Sequence, residues 1–119
     1  MLNEIREKLE ELQMGPVEYG RLTSVPEVCN YIVFARGEIK KAGTSSQDFN
    51  REYTVVLVHE DYIPEGTELE VVKAMKEIEG LRWDVNAGIQ YDYMVKKNND
   101  TVVEMAAMVF KEPLKGYVL

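Results

Sequence analysis

A chain of 119 residues is long enough for one domain around one core, and 45% hydrophobic with 29% charged residues is a globular balance, not a disordered one. The formal charge of −7 argues against unassisted nucleic-acid binding, which needs cationic side chains to neutralise phosphates, though not against contact with DNA that passes through. A single cysteine, Cys29, excludes an internal disulfide, and no apolar run approaches the roughly 20 residues of a membrane-spanning helix.

The acidic, amphipathic N-terminus is unlike a signal peptide, so a single domain over residues 1–119, made in the cytoplasm, is expected. Leu2, Ile5, Leu9 and Leu12 recur every three or four residues, which predicts an amphipathic helix from Met1 to Gln13 with Asn3 as a cap and Gly15-Pro16 as the stop. Such a stripe packs on the body of the domain or, less commonly, on a partner. Val17 to Leu22 reads as a short strand. Ser24, Pro26 and Glu27 form a connection, with a helical turn over Pro26 to Cys29 as the alternative.

The centre of the chain is a long hairpin. Its first arm runs from Asn30 to Lys41 and its second from Arg51 through the apolar run Tyr53 to Val58. Both faces are apolar near Tyr31–Phe34, and both turn polar toward Lys40. The base is therefore expected to be buried on both faces, with Val56 and Leu57 in the core, while the outer half leaves the domain. The tip, with Gly43, Ser45, Ser46 and Gln47, is polar and too long for a tight turn.

Thr67 with Glu70 fits a capping box and opens a second helix, its apolar face built from Leu69, Val71, Val72, Met75 and Ile78, with Gly80 as its end. Trp83 to Val85 begins a strand that Asn86-Ala87-Gly88 interrupts. Ile89, Tyr91, Tyr93 and Val95 alternate with polar residues and read as the buried face of a strand. Lys97 to Asp100 is a turn, and Thr101 to Phe110 returns as the partner strand, with Pro113 closing the regular structure. The order helix, strands, hairpin, helix, hairpin gives an α+β fold: a mostly antiparallel sheet with two helices packed on one face and a long projecting β-hairpin.

Residues that carry chemistry are sparse. His59 stands alone beside Glu60 and Asp61, without the further ligands a metal site requires, and reads as a strand-end residue. Cys29 reads as a small buried hydrophobe. The acidic clusters around Glu7 and Glu60–Glu70 lack the spacing of a calcium loop and read as solvated faces. Tyr91, Tyr93 and Trp83 as a base-stacking platform is disfavoured by the surrounding negative charge. No phosphate-binding glycine loop or nucleophile elbow occurs. No enzyme activity, metal or cofactor is expected. The rival reading is a small ligand-binding domain or enzyme, with a pocket lined by Tyr91, Tyr93, Trp83 and His59.

The layout resembles the tail-completion or tail-terminator (tail-to-head joining) proteins of long-tailed bacteriophages and prophages. The likeness runs through Leu2–Leu12, Val25-Pro26 leading into Tyr31–Phe34, Tyr53–Val58, Val71–Ile78 with Gly80-Leu81, Tyr91–Tyr93 and Val109–Lys115. It is one of order, size and texture, because that family has no catalytic motif. Members assemble into rings, commonly hexamers, that cap the tail tube and offer a docking surface to the head. The resemblance implies a structural protein of the virion neck, assembled in the bacterial cytoplasm. Its partners would be itself, the tail tube protein and the head connector, with no sequence-specific nucleic acid and no membrane. It also implies an oligomer interface on the hairpin arm and tip, at Arg36, Glu38, Lys40, Lys41, Gly43, Ser45, Gln47, Asp48 and Arg51. Negative charge would suit a channel through which DNA slides. Another neck component, such as a head-closure or connector protein, has the same texture.

Overall fold

A computed structural model describes residues 1–20, 30–43, 48–96 and 100–114. The elements are α1 (Leu2–Glu11), β1 (Val17–Tyr19), β2 (Tyr31–Lys41), β3 (Phe49–Glu60), α2 (Thr67–Lys76), β4 (Arg82–Trp83), β5 (Ile89–Val95) and β6 (Val102–Leu114). The sheet order is β1-β2-β3-β6, with β4 and β5 both lying along the far side of β6. Among the described residues only β1 and β2 pair in parallel. The architecture is the expected one: α+β, with a mostly antiparallel sheet, two helices packed against it and a long hairpin, β2–β3.

The helices cover one face because alternate side chains of each central strand point to it. Cross-strand rows Ile32–Leu57–Ala106 and Phe34–Val55–Met108, and the pair Tyr53–Phe110, meet Ile5 and Leu9 of α1 and Val71, Val72, Ala74 and Met75 of α2. Ile78 and Leu81, beyond α2, close the same core. The other face carries the rows Tyr31–Val58–Met105, Val33–Val56–Ala107 and Ala35–Thr54–Val109. Those residues are half-buried, apart from buried Val58, and take no part in the helix-side cluster. Val56 therefore does not belong to the core with Leu57; neighbours in a strand point to opposite faces.

Local signals were obeyed in part. α1 ends at Glu11, and Gln13 already turns left-handed at φ +54°, short of the expected stop at Gly15. Gly15 adopts φ +115°, and a Cβ there would stand 2.2 Å from the carbonyl oxygen of Asn30, so only glycine fits. Neither expected side-chain cap forms: Met1, not Asn3, precedes α1, and Gly66 in the left-handed region precedes α2. Thr67 is thus the first helical residue and makes no capping box. α2 ends at Lys76, before Gly80, and Leu69 points to solvent at 65% exposure instead of joining the apolar face. The break at Asn86–Gly88 is a turn braced by Asp84, whose Oδ1 accepts the Ala87 N–H at 3.2 Å. Trp83 opposes Phe110 and Ile89 opposes Met108, so residues 84–88 bulge out against Val109 alone. The possible helical turn at Pro26–Cys29, and Leu22, lie outside the described residues.

Candidate assembly surface

The hairpin leaves the helices gradually. In β2 the side chains are buried or half-buried from Tyr31 to Ala35 and exposed from Arg36 to Lys41. β1 covers only the inner part of β2, pairing with Ile32, Val33 and Phe34. Its last residue fixes the point of departure. The Tyr19 ring stands edge-on to Phe34 at 5.2 Å, and its hydroxyl accepts a hydrogen bond from Arg36 Nε at 3.1 Å. That bond to the guanidinium holds the Tyr19 pKa below its usual value. Beyond Arg36 no strand among the described residues pairs with the outer edge of β2.

On its inner side the arm is stiffer than the sequence implied. β3 begins at Phe49 rather than Arg51, and β6 continues through Pro113 to Leu114, pairing Phe49–Leu114, Asn50–Pro113 and Arg51–Glu112. The projection is thus three strands wide, not a two-stranded finger. Pro113 is tolerated because it lies at the very end of β6. Ala42 N–H bonds to the Asp48 carbonyl at 2.9 Å, so the ladder reaches almost to the tip.

A β-bulge reorients the arm. Arg36 opposes Tyr53 but Ile39 opposes Arg51, so Gly37 and Glu38 together face Glu52. The extra residue turns Ile39 and Lys41 to the helix side and Lys40 to the other, the reverse of a simple alternation. Ile39, 40% exposed, then borders an open groove with Met1, Leu2, Tyr53 and Leu114. The groove floor holds a polar cluster in which the Tyr53 hydroxyl donates to Glu112 Oε1 at 2.9 Å. Burial, reinforced by the Glu112 carboxylate, pushes the Tyr53 pKa up to about 12. Lys40 lies 3.6 Å from Glu52 and 3.9 Å from Glu38, loose solvent-side pairs worth little in stability.

Of the residues expected at an interface, Arg36, Glu38, Lys40, Lys41 and Gly43 are exposed on the arm, Asp48 and Arg51 are half-buried, and Ser45 and Gln47 lie outside the described residues.

The opposite edge of the sheet is where sequence reasoning went wrong. β5 pairs with β6 alone, and from Gln90 to Val95 every side chain is exposed. Tyr91, Tyr93 and Val95 do face the helix side, in register with Ala106, Glu104 and Val102, but they stay exposed: α2 reaches Tyr91 through the Glu68 side chain without burying it. Tyr91 donates to Glu68 and Tyr93 interacts with Glu104, and both carboxylates hold the phenols protonated: the Tyr91 pKa is pushed up to about 12, first by that bond and then by burial. Tyr93 is 60% exposed and Val95 59%, which leaves an apolar edge with an acidic underside.

The proposed ligand pocket does not assemble. His59 lies at an open cleft of about 270 Å³ with Asn30, Tyr31 and Ile63, its Nδ1 2.7 Å from the Glu60 carbonyl. Tyr91 and Tyr93 sit on the β5 edge, and Trp83 borders a separate depression beside Asn50 and Lys111. Among the described residues no three His, Cys, Asp or Glu side chains converge as metal ligands.

No family model matches this sequence, and no curated protein does. One solved structure, which carries no functional name, aligns over 100% of this chain and 99% of its own, with 11% identity and a TM-score of 0.41. That likeness is too remote to carry any argument about function.

Proposed function

We propose that this protein is a structural subunit of a phage tail neck, a tail terminator whose copies form a ring that ends the tail tube and joins it to the head. The observation that carries the reading is a sheet open at both sides. A stiff arm carries past the helices a β2 edge that no strand among the described residues pairs, and the far edge, β5, is apolar and exposed. A subunit that functions alone usually blunts or covers an apolar edge, and β5 carries neither a bulge nor a lysine. Two different open edges on one chain suit head-to-tail contact between copies, the kind that closes into rings. The layout set out above, with its family resemblance, supplies the rest of the reading. The −7 charge suits a channel that must not hold DNA.

The test is to mix purified protein with tail tube protein and image the tubes by negative stain. Rings at tube ends and tubes of arrested length are expected. Uncapped tubes, with no association to tubes or head connectors at high protein concentration, would overturn the assignment.

A further inference from the structure

We infer that copies of this chain join edge to edge, the outer part of β2 (Arg36–Lys41) of one copy adding antiparallel beside β5 (Ile89–Val95) of the next. The inference rests on the ring reading and names the contact that builds the ring.

Length, direction and charge agree. The β2 edge offers six exposed residues, Arg36–Lys41, and β5 six, Gln90–Val95. β2, β3, β6 and β5 alternate in direction, so a neighbour placed to continue the sheet brings its β2 antiparallel to β5. The β2 edge carries Arg36, Lys40 and Lys41 against Glu38 alone. The β5 edge carries Asp92, with Glu68 and Glu104 beneath Tyr91 and Tyr93.

Self-pairing is disfavoured on either side. Two β5 strands paired about their middle residue would set Asp92 against Asp92, and two β2 edges would set cations together; like charges directly opposite destabilise a sheet.

The side chains select a register. Placing Lys40 opposite Asp92 puts both on the face away from the helices. Lys40 shares that face with Asn50, and Asp92 shares it with Met105. The same register sets Ile39 against Tyr93 and Lys41 beside Tyr91 and Glu68, all on the helix side. This agreement of faces exists only because of the bulge at Gly37–Glu38; a regular β2 would turn Ile39 and Lys41 the wrong way. β5 lies against the Val102–Met108 half of β6, whereas outer β2 lies toward the Leu114 end. Joining the two edges therefore staggers neighbours along the strands, and closure requires strands tilted to the ring axis, as in a barrel.

Sedimentation velocity on the full chain tests this with Lys40→Asp, Asp92→Lys and the double variant that exchanges the two charges. Both positions are exposed, so circular dichroism should show each variant folded. Each single variant is expected to weaken association by about tenfold or more, and the exchange to recover most of the loss. A second arm uses Ile39→Cys with Tyr93→Cys in a Cys29→Ser chain, in which mild oxidation should give ladders of linked copies. If the single variants assemble like the parent, or the exchange recovers nothing and no ladder forms, the edge contact is wrong while the ring stands. A parent chain that stays monomeric at every concentration, alone and with tail tube protein, removes the ring reading itself.

Discussion

Leu57 and Val56 are adjacent in β3, and they should respond very differently to truncation. Leu57 is 3% exposed and sits in the Ile32–Leu57–Ala106 row beneath the helices, whereas Val56 is half-buried on the face the helices do not cover. Leu57→Ala removes buried methyl groups and leaves a cavity, a loss of about 2–5 kcal/mol. Val56→Ala removes partly exposed carbon and leaves no enclosed cavity, so about 1 kcal/mol is expected. A domain of this length has a total stability of roughly 6–18 kcal/mol, so the first change is a large share of it and the second is not. With a urea slope of about 1.5 kcal/mol per M, the midpoint should fall by ~1–3 M for Leu57→Ala and by ~0.7 M for Val56→Ala. Equilibrium unfolding by circular dichroism, on dilute protein, measures both. Carboxylates sharpen the contrast: Leu57→Asp should not fold, because an unpaired charge enters the core, while Val56→Asp should. Equal losses for the two alanine variants would show that the outer face is packed within the subunit, and that the division of this sheet into a core face and an open face is mistaken.

Gly15→Ala should lower stability by at least about 2 kcal/mol in the same assay, since the new methyl group meets the Asn30 carbonyl in a conformation that L-residues avoid; a neutral result would show the α1–β1 turn to be plastic. The pKa values of Tyr53 and Tyr91 are raised to about 12, and raised values mean that the protonated phenols stabilise the fold. That contribution is fully present below pH ~10 and is lost as pH rises through ~12, so absorbance at alkaline pH should show late-titrating tyrosines, with one late step missing in each of Tyr53→Phe and Tyr91→Phe. Trp83 Nε1 is buried and has no acceptor among the described residues, so Trp83→Phe should change stability by under about 1 kcal/mol despite the lost area; a loss above ~3 kcal/mol would reveal a partner. Amide exchange at Asn50, flanked by Lys40 and Pro113, should be slow even in the free subunit; exchange at the rate of an open loop would show that the arm frays.

Most of the fold was legible because periodicity survives noise. The three-and-four spacing of Ile5 and Leu9, the capless but strongly apolar Val71–Met75, and the alternation in β3 and β6 each announced an element and a buried face. What failed was information held in one or two residues. The bulge at Gly37 is a single extra residue, and only the glycine hints at it. Pro113 looked like a terminator, because nothing local says that a strand end opposite Asn50 can dispense with an N–H. Leu69 fitted the helical stripe but lies a half-turn from the sheet.

The exposure of the outer arm was legible from the polarity of Arg36, Glu38, Lys40 and Lys41, charged side chains that a strand rarely buries. The β5 edge was missed for the opposite reason. Ile89, Tyr91, Tyr93 and Val95 alternate as a buried strand does, and alternation reports that a face is to be covered, not by which chain. A sheet has two sides to offer, and the helices here serve only the middle of one. On the edge-to-edge pairing, Tyr93 meets Ile39 of a neighbouring copy, so the pattern in β5 is correct for the assembly and wrong for the subunit. The same logic makes Met94→Lys informative. Met94 is 51% exposed, so a lysine there should leave the urea midpoint of the dilute subunit within about 0.3 M of the parent. It should nonetheless weaken association, because a charge on an edge is how sheets refuse partners. A shift of 1 M or more would mean that Met94 is packed in the free subunit, and β5 would then be core after all.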